Sequence, residues 1–354
     1  MTENKWKHLR GDTTDKFKRF DNIARKKFNE LPKEKQKKQK TKTFILYPFE
    51  LKYNQDKTFE QKEQESLDMI EEHLKNHKKC YVATSFGMDS VVLMHLTIRA
   101  AKNIGCEIPD MFLNDTLNTF KEEKAYWKLL VKEFDIEKQF RLFKPPVDQD
   151  GKQQTVWTIA KRYGHLPSFR TMGGGKKEGS RGTTPECCNI LKKATMKKML
   201  KSLAEEDRYD CHFIGTRAEE SRMRAISVLQ RCRTYMINKI FPYPIRAVTP
   251  LSFWLKTDIY EYYSRYNIPK NPAYKAHNIE RMGCASCPAH LNWELRLAND
   301  PTNEGLGMLK MNLKILKETE PERYEKSIKL LKKHKLVPDI LSQLGEINTL
   351  DKYD

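Results

Sequence analysis

Between residues 80 and 143 short apolar runs alternate with amphipathic stretches, and this alternation constrains the fold more than any other feature of the chain. Cys80-Tyr81-Val82-Ala83-Thr84 reads as a buried strand, and Ser90 to Ala101 as a helix carrying Val91, Val92, Leu93, Leu96 and Ile98. Met111-Phe112-Leu113 is a second strand, residues 120–134 a helix, and Gln139 to Phe143 a third strand. Strand, crossover helix and strand at this spacing make βαβ units, whose strands run parallel. Further on, Asp210 to Gly215 is expected as a fourth core strand and Tyr235 to Phe241 as a β segment. Residues 59–77, 189–204 and Thr257–Tyr266 are expected as helices, and the chain beyond Pro288 as helices to its end. The fold class expected is α/β, a mostly parallel sheet flanked by helices.

The ends differ from the middle. Residues 14–31 carry Phe17, Phe20, Ile23, Ala24, Phe28 and Leu31 at helical spacing, and Pro32 with the run 33–42 then reads as a linker or exposed basic arm. Gly173-Gly174-Gly175, within residues 164–186, marks a flexible loop. The formal net charge is +19, with dense Lys and Arg at 33–42, 192–201 and 328–335. Such a surface suits a polyanion, nucleic acid above all; the plain alternative is a solvated, Lys-rich exterior. No apolar run approaches the about 18 residues of a membrane span, and the N-terminus lacks a signal-peptide core. A cytoplasmic setting without membrane contact is therefore expected.

In a reducing setting the eight cysteines are not a disulfide framework. Cys80, Cys106 and Cys211 lie in or beside apolar segments and are expected as buried small hydrophobes. Cys232, between Arg231 and Arg233, is either an inert thiol or an activated one. The remaining four form two pairs, Cys187-Cys188 and Cys284-Ala285-Ser286-Cys287. Cys-x-x-Cys alone is compatible with zinc, redox chemistry or an iron–sulfur cluster. Two adjacent cysteines fit one tetrahedral ion awkwardly, whereas a cubane offers each its own iron.

A further constellation lies after the first strand, at Ser85-Phe86-Gly87-Met88-Asp89-Ser90. Small residues let the backbone turn tightly, and amides at the turn and helix N-terminus can face a phosphate with the helix dipole assisting. Ser85 and Ser90 add hydroxyl donors, and Asp89 can cap the helix or orient a metal. The alternative is an ordinary strand–helix turn capped by Asp89 or Ser90.

This hexapeptide resembles the Ser-Gly-Gly-x-Asp-Ser PP-loop of the adenine-nucleotide α-hydrolase superfamily, and the chain is most similar to its phosphoadenosine-phosphosulfate (PAPS) reductase branch. Asn114-Asp115-Thr116 resembles the family's Asp-Thr element near the adenosine. Gly215-Thr216-Arg217-Ala218-Glu219-Glu220-Ser221-Arg222-Met223-Arg224 resembles its Gly-x-Arg-x-x-Glu-Ser-x-x-Arg segment. Pro250-Leu251 through Ile268-Pro269-Lys270-Asn271-Pro272-Ala273-Tyr274, and then Met282-Gly283-Cys284-Ala285-Ser286-Cys287-Pro288, follow in the family's order. The loop departs from the pattern at Phe86, where glycine is usual, which bears on how closely backbone meets phosphate. The resemblance spans roughly residues 60–290. It implies a Rossmann-like PP-loop domain over 59–290, between a basic, helical N-terminal extension (1–58) and a helical C-terminal extension (291–354).

By the same resemblance Ser85, Phe86, Gly87, Met88, Asp89, Ser90, Asp115, Thr116, Arg217 and Arg224 would bind the nucleotide, with Asp89 and Arg217 catalytic. For Arg217 and Arg224 the plain alternative is a salt bridge with Glu219 or Glu220. Cys187, Cys188, Cys284 and Cys287 would hold a [4Fe–4S] cluster, with zinc as the alternative, and Lys192 and Lys193 could stabilise it. The implied function is an ATP- and Mg²⁺-using enzyme that adenylates an acceptor, nucleic acid by its charge, for sulfur insertion. A sulfur-donor protein such as a cysteine desulfurase would be its partner. One alternative is an adenylyl-sulfate or PAPS reductase, which uses a cysteine on a C-terminal tail, and no cysteine follows Cys287. Another is a non-catalytic nucleic-acid-binding or regulatory protein that keeps the cluster as a structural pin.

Overall fold

The computed structural model describes residues 45–167, 186–238, 241–288 and 292–336. The expected helix at 14–31, the basic arm at 33–42, the glycine-rich segment at 173–175 and the chain after 336 lie outside the described residues. Helix α1 (Pro48–Gln55) precedes α2 (Phe59–Asn76), β1 (Cys80–Thr84), α3 (Met88–Ile104), β2 (Asp110–Asn114), α4 (Lys121–Glu133) and β3 (Phe140–Phe143). Then come α5 (Val156–Tyr163), α6 (Glu186–Cys188), a π-helical turn (Asn189–Ala194), α7 (Thr195–Ser202) and β4 (Cys211–Ile214). Helix α8 (Arg222–Arg231), β5 (Thr234–Ile237), β6 (Ile245–Val248), α9 (Lys256–Arg265) and α10 (Ala273–Ala276) complete the α/β part. Helices α11 (Trp293–Ala298), α12 (Asn303–Thr319) and α13 (Pro321–Lys333) follow.

The six strands are ordered β3-β2-β1-β4-β6-β5, all parallel except the edge strand β5, which runs antiparallel to β6. The chain winds outward one way from β1 through β2 to β3, then returns to place β4 on the other side of β1. The carboxyl ends of β1 and β4 thus flank a topological switch point, where open α/β sheets bind ligands.

Side chains alternate between the two sheet faces with the period of a strand. Val82, Met111, Leu113 and Phe213 join Val91, Val92, Leu96 and Leu130 in one core. Tyr81 and Phe112 pack with Tyr209, Ile245 and Leu200 on the other face. A third core, with Trp293, Leu297, Leu309, Leu313, Leu316 and Leu331, unites the C-terminal helices and takes in Phe120 and Leu166.

Helix boundaries follow from local chemistry. Thr58 and Gln61 form a reciprocal capping box at the start of α2, at 3.3 and 3.0 Å. Gly105 ends α3 at φ 67°, donating its amide to the carbonyls of Ala101 and Lys102. Three expectations need correction. The helix expected at 189 opens with the π turn, and the β segment expected to reach Phe241 ends at Ile237. Cys106 is exposed, because it follows the glycine that turns the chain out of α3.

Candidate functional site

The loop after β1 is held by hydroxyls. The Ser85 amide donates to Ser90 Oγ at 3.2 Å, Phe86 N–H to Thr84 Oγ1 at 3.1 Å, and Gly87 N–H to Ser85 Oγ at 3.4 Å. Ser90 Oγ in turn donates to the Gly87 carbonyl at 2.9 Å. At the first residue of α3, Met88 N–H donates to the Tyr274 hydroxyl at 3.2 Å. Neutral acceptors that a charged phosphate oxygen can outcompete thus occupy the row of amides.

Phe86 explains its own departure from glycine. Its φ is +52°, the left-handed region that glycine favours. Its ring is fully buried beneath the loop, 6.4 Å from the Tyr126 ring, 6.1 Å from Trp127 and 5.9 Å from Phe140. Backbone strain of roughly 1–2 kcal/mol is offset by burial of an aromatic ring, and the side chain points away from the phosphate-facing surface.

The end of β4 meets this loop directly. A Cβ on Gly215 would stand 3.3 Å from the Asp89 carbonyl oxygen and 3.4 Å from Ser90 Cα, tighter than most Cβ contacts, so glycine eases the close approach of the two backbones. Two residues on, Arg217 is buried and places Nε 2.8 Å from Asp89 Oδ1 and Nη1 2.8 Å from Glu219 Oε2. Asp89 therefore neither caps α3 nor faces solvent alone. Arg224 pairs with Glu220, which also meets Arg281 Nη2 at 3.5 Å. Burial, with Arg281 next, lowers the Arg224 pKa to about 10. Arg224 borders a cavity of about 190 Å³ together with Thr216, Met223, Cys232 and Tyr235.

Beyond β2 the chain turns through Leu117 at φ +58°, with Asp115 Oδ1 accepting the Leu117 amide at 2.8 Å. Asp115 and Thr116 are both buried, and Thr116 Oγ1 lies 3.4 Å from Cys284 Sγ. Asn118 then grips the Cys-Ala-Ser-Cys loop. Its Nδ2 donates to Ser286 Oγ at 2.8 Å, its Oδ1 accepts the Ser286 amide at 3.2 Å, and its carbonyl accepts the Ala285 amide at 2.7 Å. From the C-terminal helices, Asn312 donates to the Ser286 carbonyl at 2.9 Å and Arg296 to the Ala285 carbonyl at 2.5 Å.

The two cysteine pairs come together. The thiol of Cys187 feels Cys188 first, then burial, then Cys284 and Cys287, and is pushed up. Cys188, accepting from Cys187 and facing Lys192 and Lys193, is lowered to about 6, against the opposing effect of burial. Lys192 keeps solvent access but is raised in pKa, by Cys284 first and then by the other three thiols, against its own desolvation. Asn114, at the end of β2, donates to the Lys192 carbonyl at 2.9 Å and ties the π turn to the sheet.

These donors fit an iron–sulfur cluster. Among the described residues, the groups with three ligand atoms within 4.8 Å of one another are His73/His77/Cys211 and Glu122/His277/Glu304, and the four thiols are not one of them. A single tetrahedral zinc, at about 2.3 Å from each sulfur, would draw them closer together than that. A cubane with one iron per thiolate tolerates the wider spacing, and the lysines suit its negative charge.

The structure thus gathers Ser85–Ser90, Arg217, Arg224, Asp115, Thr116 and the four cysteines at one end of the sheet. Sequence reasoning overlooked Asn118, Arg296 and Asn312, whose types carry no metal signal, and Tyr274, noted only within a longer block.

The model of the phosphoadenosine phosphosulfate reductase domain family matches residues 79–290. No curated protein matches the chain by sequence. Among solved structures, the chain is similar to phosphoadenylyl-sulfate reductase from Candida auris, phosphate complex, at 13% identity and TM-score 0.40, covering 66% of this chain and 93% of that one. It is similar to Candida glabrata FMN adenylyltransferase in complex with FMN and an ATP analogue, at 11% identity and TM-score 0.39, covering 64% and 67%. It is also similar to the U34-tRNA thiolase NcsA from Methanococcus maripaludis with its [4Fe-4S] cluster, at 12% identity and TM-score 0.36, covering 83% and 82%.

Proposed function

This chain belongs to the phosphoadenosine phosphosulfate reductase domain family, and from that premise we propose that it is an ATP-using PP-loop enzyme of sulfur transfer. One observation carries the reading: a single segment touches both halves of the site. Tyr274 caps the phosphate loop, Met282 Cβ lies 3.4 Å from where a Gly87 Cβ would stand, and Cys284 joins the thiol group. This adjacency supports a reading in which nucleotide chemistry and sulfur chemistry are neighbours.

The loop amides and the hydroxyls of Ser85 and Ser90 would take the terminal phosphates of ATP, replacing the Tyr274 hydroxyl at Met88. Phe86 fixes the loop from below, and Asp115 and Thr116 border the adenosine side. Asp89 would orient Mg²⁺, while Arg217, with Arg224 beside it, neutralises charge on the phosphates; positioning and charge stabilisation are what such chemistry needs. An acceptor oxygen attacks the α-phosphorus, a new P–O bond forms, and pyrophosphate leaves. A sulfur nucleophile from a donor then displaces AMP, forming a C–S bond as the C–O bond breaks. Cys187, Cys188, Cys284 and Cys287 would hold a [4Fe–4S] cluster, which would supply a place to hold or pass that sulfur. The net charge of +19 favours nucleic acid as the acceptor.

Anaerobically prepared, cluster-loaded protein given ATP, Mg²⁺ and RNA or DNA should release pyrophosphate and incorporate sulfur, with turnover lost in Asp89→Ala. Conversion of adenylyl sulfate to sulfite without ATP hydrolysis would instead identify a reductase.

A further inference from the structure

At the opposite end of the sheet, where β1 and β4 begin, lies a second group of metal-type donors. His73 and His77 sit one turn apart near the end of α2, their rings stacked with centroids 5.3 Å apart. One ligand atom from each and Cys211 Sγ lie within 4.8 Å of one another. Cys80 and Cys211 are register partners on adjacent parallel strands, and the Cys80 thiol donates to the His73 carbonyl at 3.9 Å. Both cysteines are buried, while the two histidines are half-buried and open a path from solvent.

The histidines are also oriented. His77 Nδ1 lies 3.3 Å from Asp210 Oδ2, leaving Nε2 for another partner. The same carboxylate accepts the amides of Lys78 and Lys79, each at 3.0 Å, so the residue that aims His77 is itself fixed. A carboxylate behind a ligating imidazole sets the ring's tautomer and direction.

We propose that His73, His77 and Cys211 form a zinc site with three protein ligands, its fourth position left to solvent, that fastens α2 to the amino end of β4. Two imidazoles at i and i+4 with one thiolate suit a borderline-soft ion that prefers tetrahedral nitrogen and sulfur. The site is separate from the four cysteines at the other end of the strands and independent of the reading proposed above for that end. Binding releases the Cys211 thiol proton to solvent, and because the unfolded chain lacks the site, bound metal stabilises the fold.

The test is zinc loading of the metal-stripped full chain under anaerobic conditions, for the wild type and for His73→Ala/His77→Ala. The wild type should bind one more equivalent of zinc than the variant and gain in melting temperature on loading, a gain the variant lacks. Equal stoichiometry in two folded proteins would overturn the proposal. Zinc K-edge absorption of the loaded wild type needs no variant: imidazole scattering with sulfur is expected, and a first shell of sulfur alone would sink the site.

Discussion

Arg217 and Asp89 lie 128 residues apart in the chain and meet in a part-buried ion pair, Nε to Oδ1, at 2.8 Å. Gly215 favours the contact by letting the end of β4 lie close against the first turn of α3. Asp89→Asn is expected to cost about 1–3 kcal/mol in urea unfolding. That is less than the roughly 3–5 of a buried charge left alone, because Glu219 still faces the guanidinium. Pyrophosphate release should fall at least about 100-fold, and Arg217→Lys should not restore the pair, because ammonium lacks the guanidinium fork.

Phe86 predicts an inverted order of substitutions. Phe86→Ala forfeits the ring and keeps the left-handed strain, for a loss of about 3–5 kcal/mol. Phe86→Gly forfeits the ring but relieves the strain, so it should be less damaging by about 1 kcal/mol. Thermal or denaturant unfolding of the two variants decides this. Glycine worse than alanine would refute the left-handed assignment.

His212 is buried between strands, stacked on Tyr81 at 4.3 Å, with neither ring nitrogen hydrogen-bonded. Burial lowers its pKa to about 3, well below its unfolded value near 6.5. The folded state therefore binds the proton less readily than the unfolded one. Stability from this group is full above about pH 6.5 and is lost as pH falls towards 3, at up to about 1.4 kcal/mol per unit. His212→Phe should remove that slope, so its advantage over wild type should grow as unfolding is measured from pH 7 to pH 5.

Asn118 joins the turn after β2 to the Cys284–Cys287 loop through three hydrogen bonds, two of them made by its side chain. Asn118→Ala removes those two and leaves the four thiols in place. Affinity for the proposed cluster should drop roughly 10- to 100-fold, as for other partners that orient ligands. Iron and sulfide retention against a chelator reads this out, while the mutated chain should keep its fold by circular dichroism.

Much of the fold was legible because parallel strands buried on both faces are continuous apolar runs. The expected strand Cys80–Thr84 coincides with β1, and the helix expected at 120–134 with α4 to within a residue. Strand β6 was overlooked because Ile245–Val248 is only four residues long, between Pro244 and Thr249-Pro250, and its identity comes from pairing with β4. The candidate site was legible where residue type announces chemistry, as with the cysteines and the loop serines. Asn118, Arg296 and Asn312 were hidden because their role is set by which carbonyl or hydroxyl the tertiary fold brings to them. The conformation of Phe86 was equally hidden, since an aromatic residue in a left-handed turn is a compromise that only the core beneath it makes acceptable.

The grip of Asn312 and Arg296 on the Ser286 and Ala285 carbonyls has a consequence for how the protein divides. The stretch matched by the family model stops at residue 290, before either of them. A protein cut at that border would leave two buried carbonyls without donors and Trp157 Nε1 without its acceptor on Asn312. The inherited module and the mechanical unit thus have different edges: the terminal helices are the back wall of the thiol site, and the smallest piece that keeps both donors to the Cys-Ala-Ser-Cys loop includes α12.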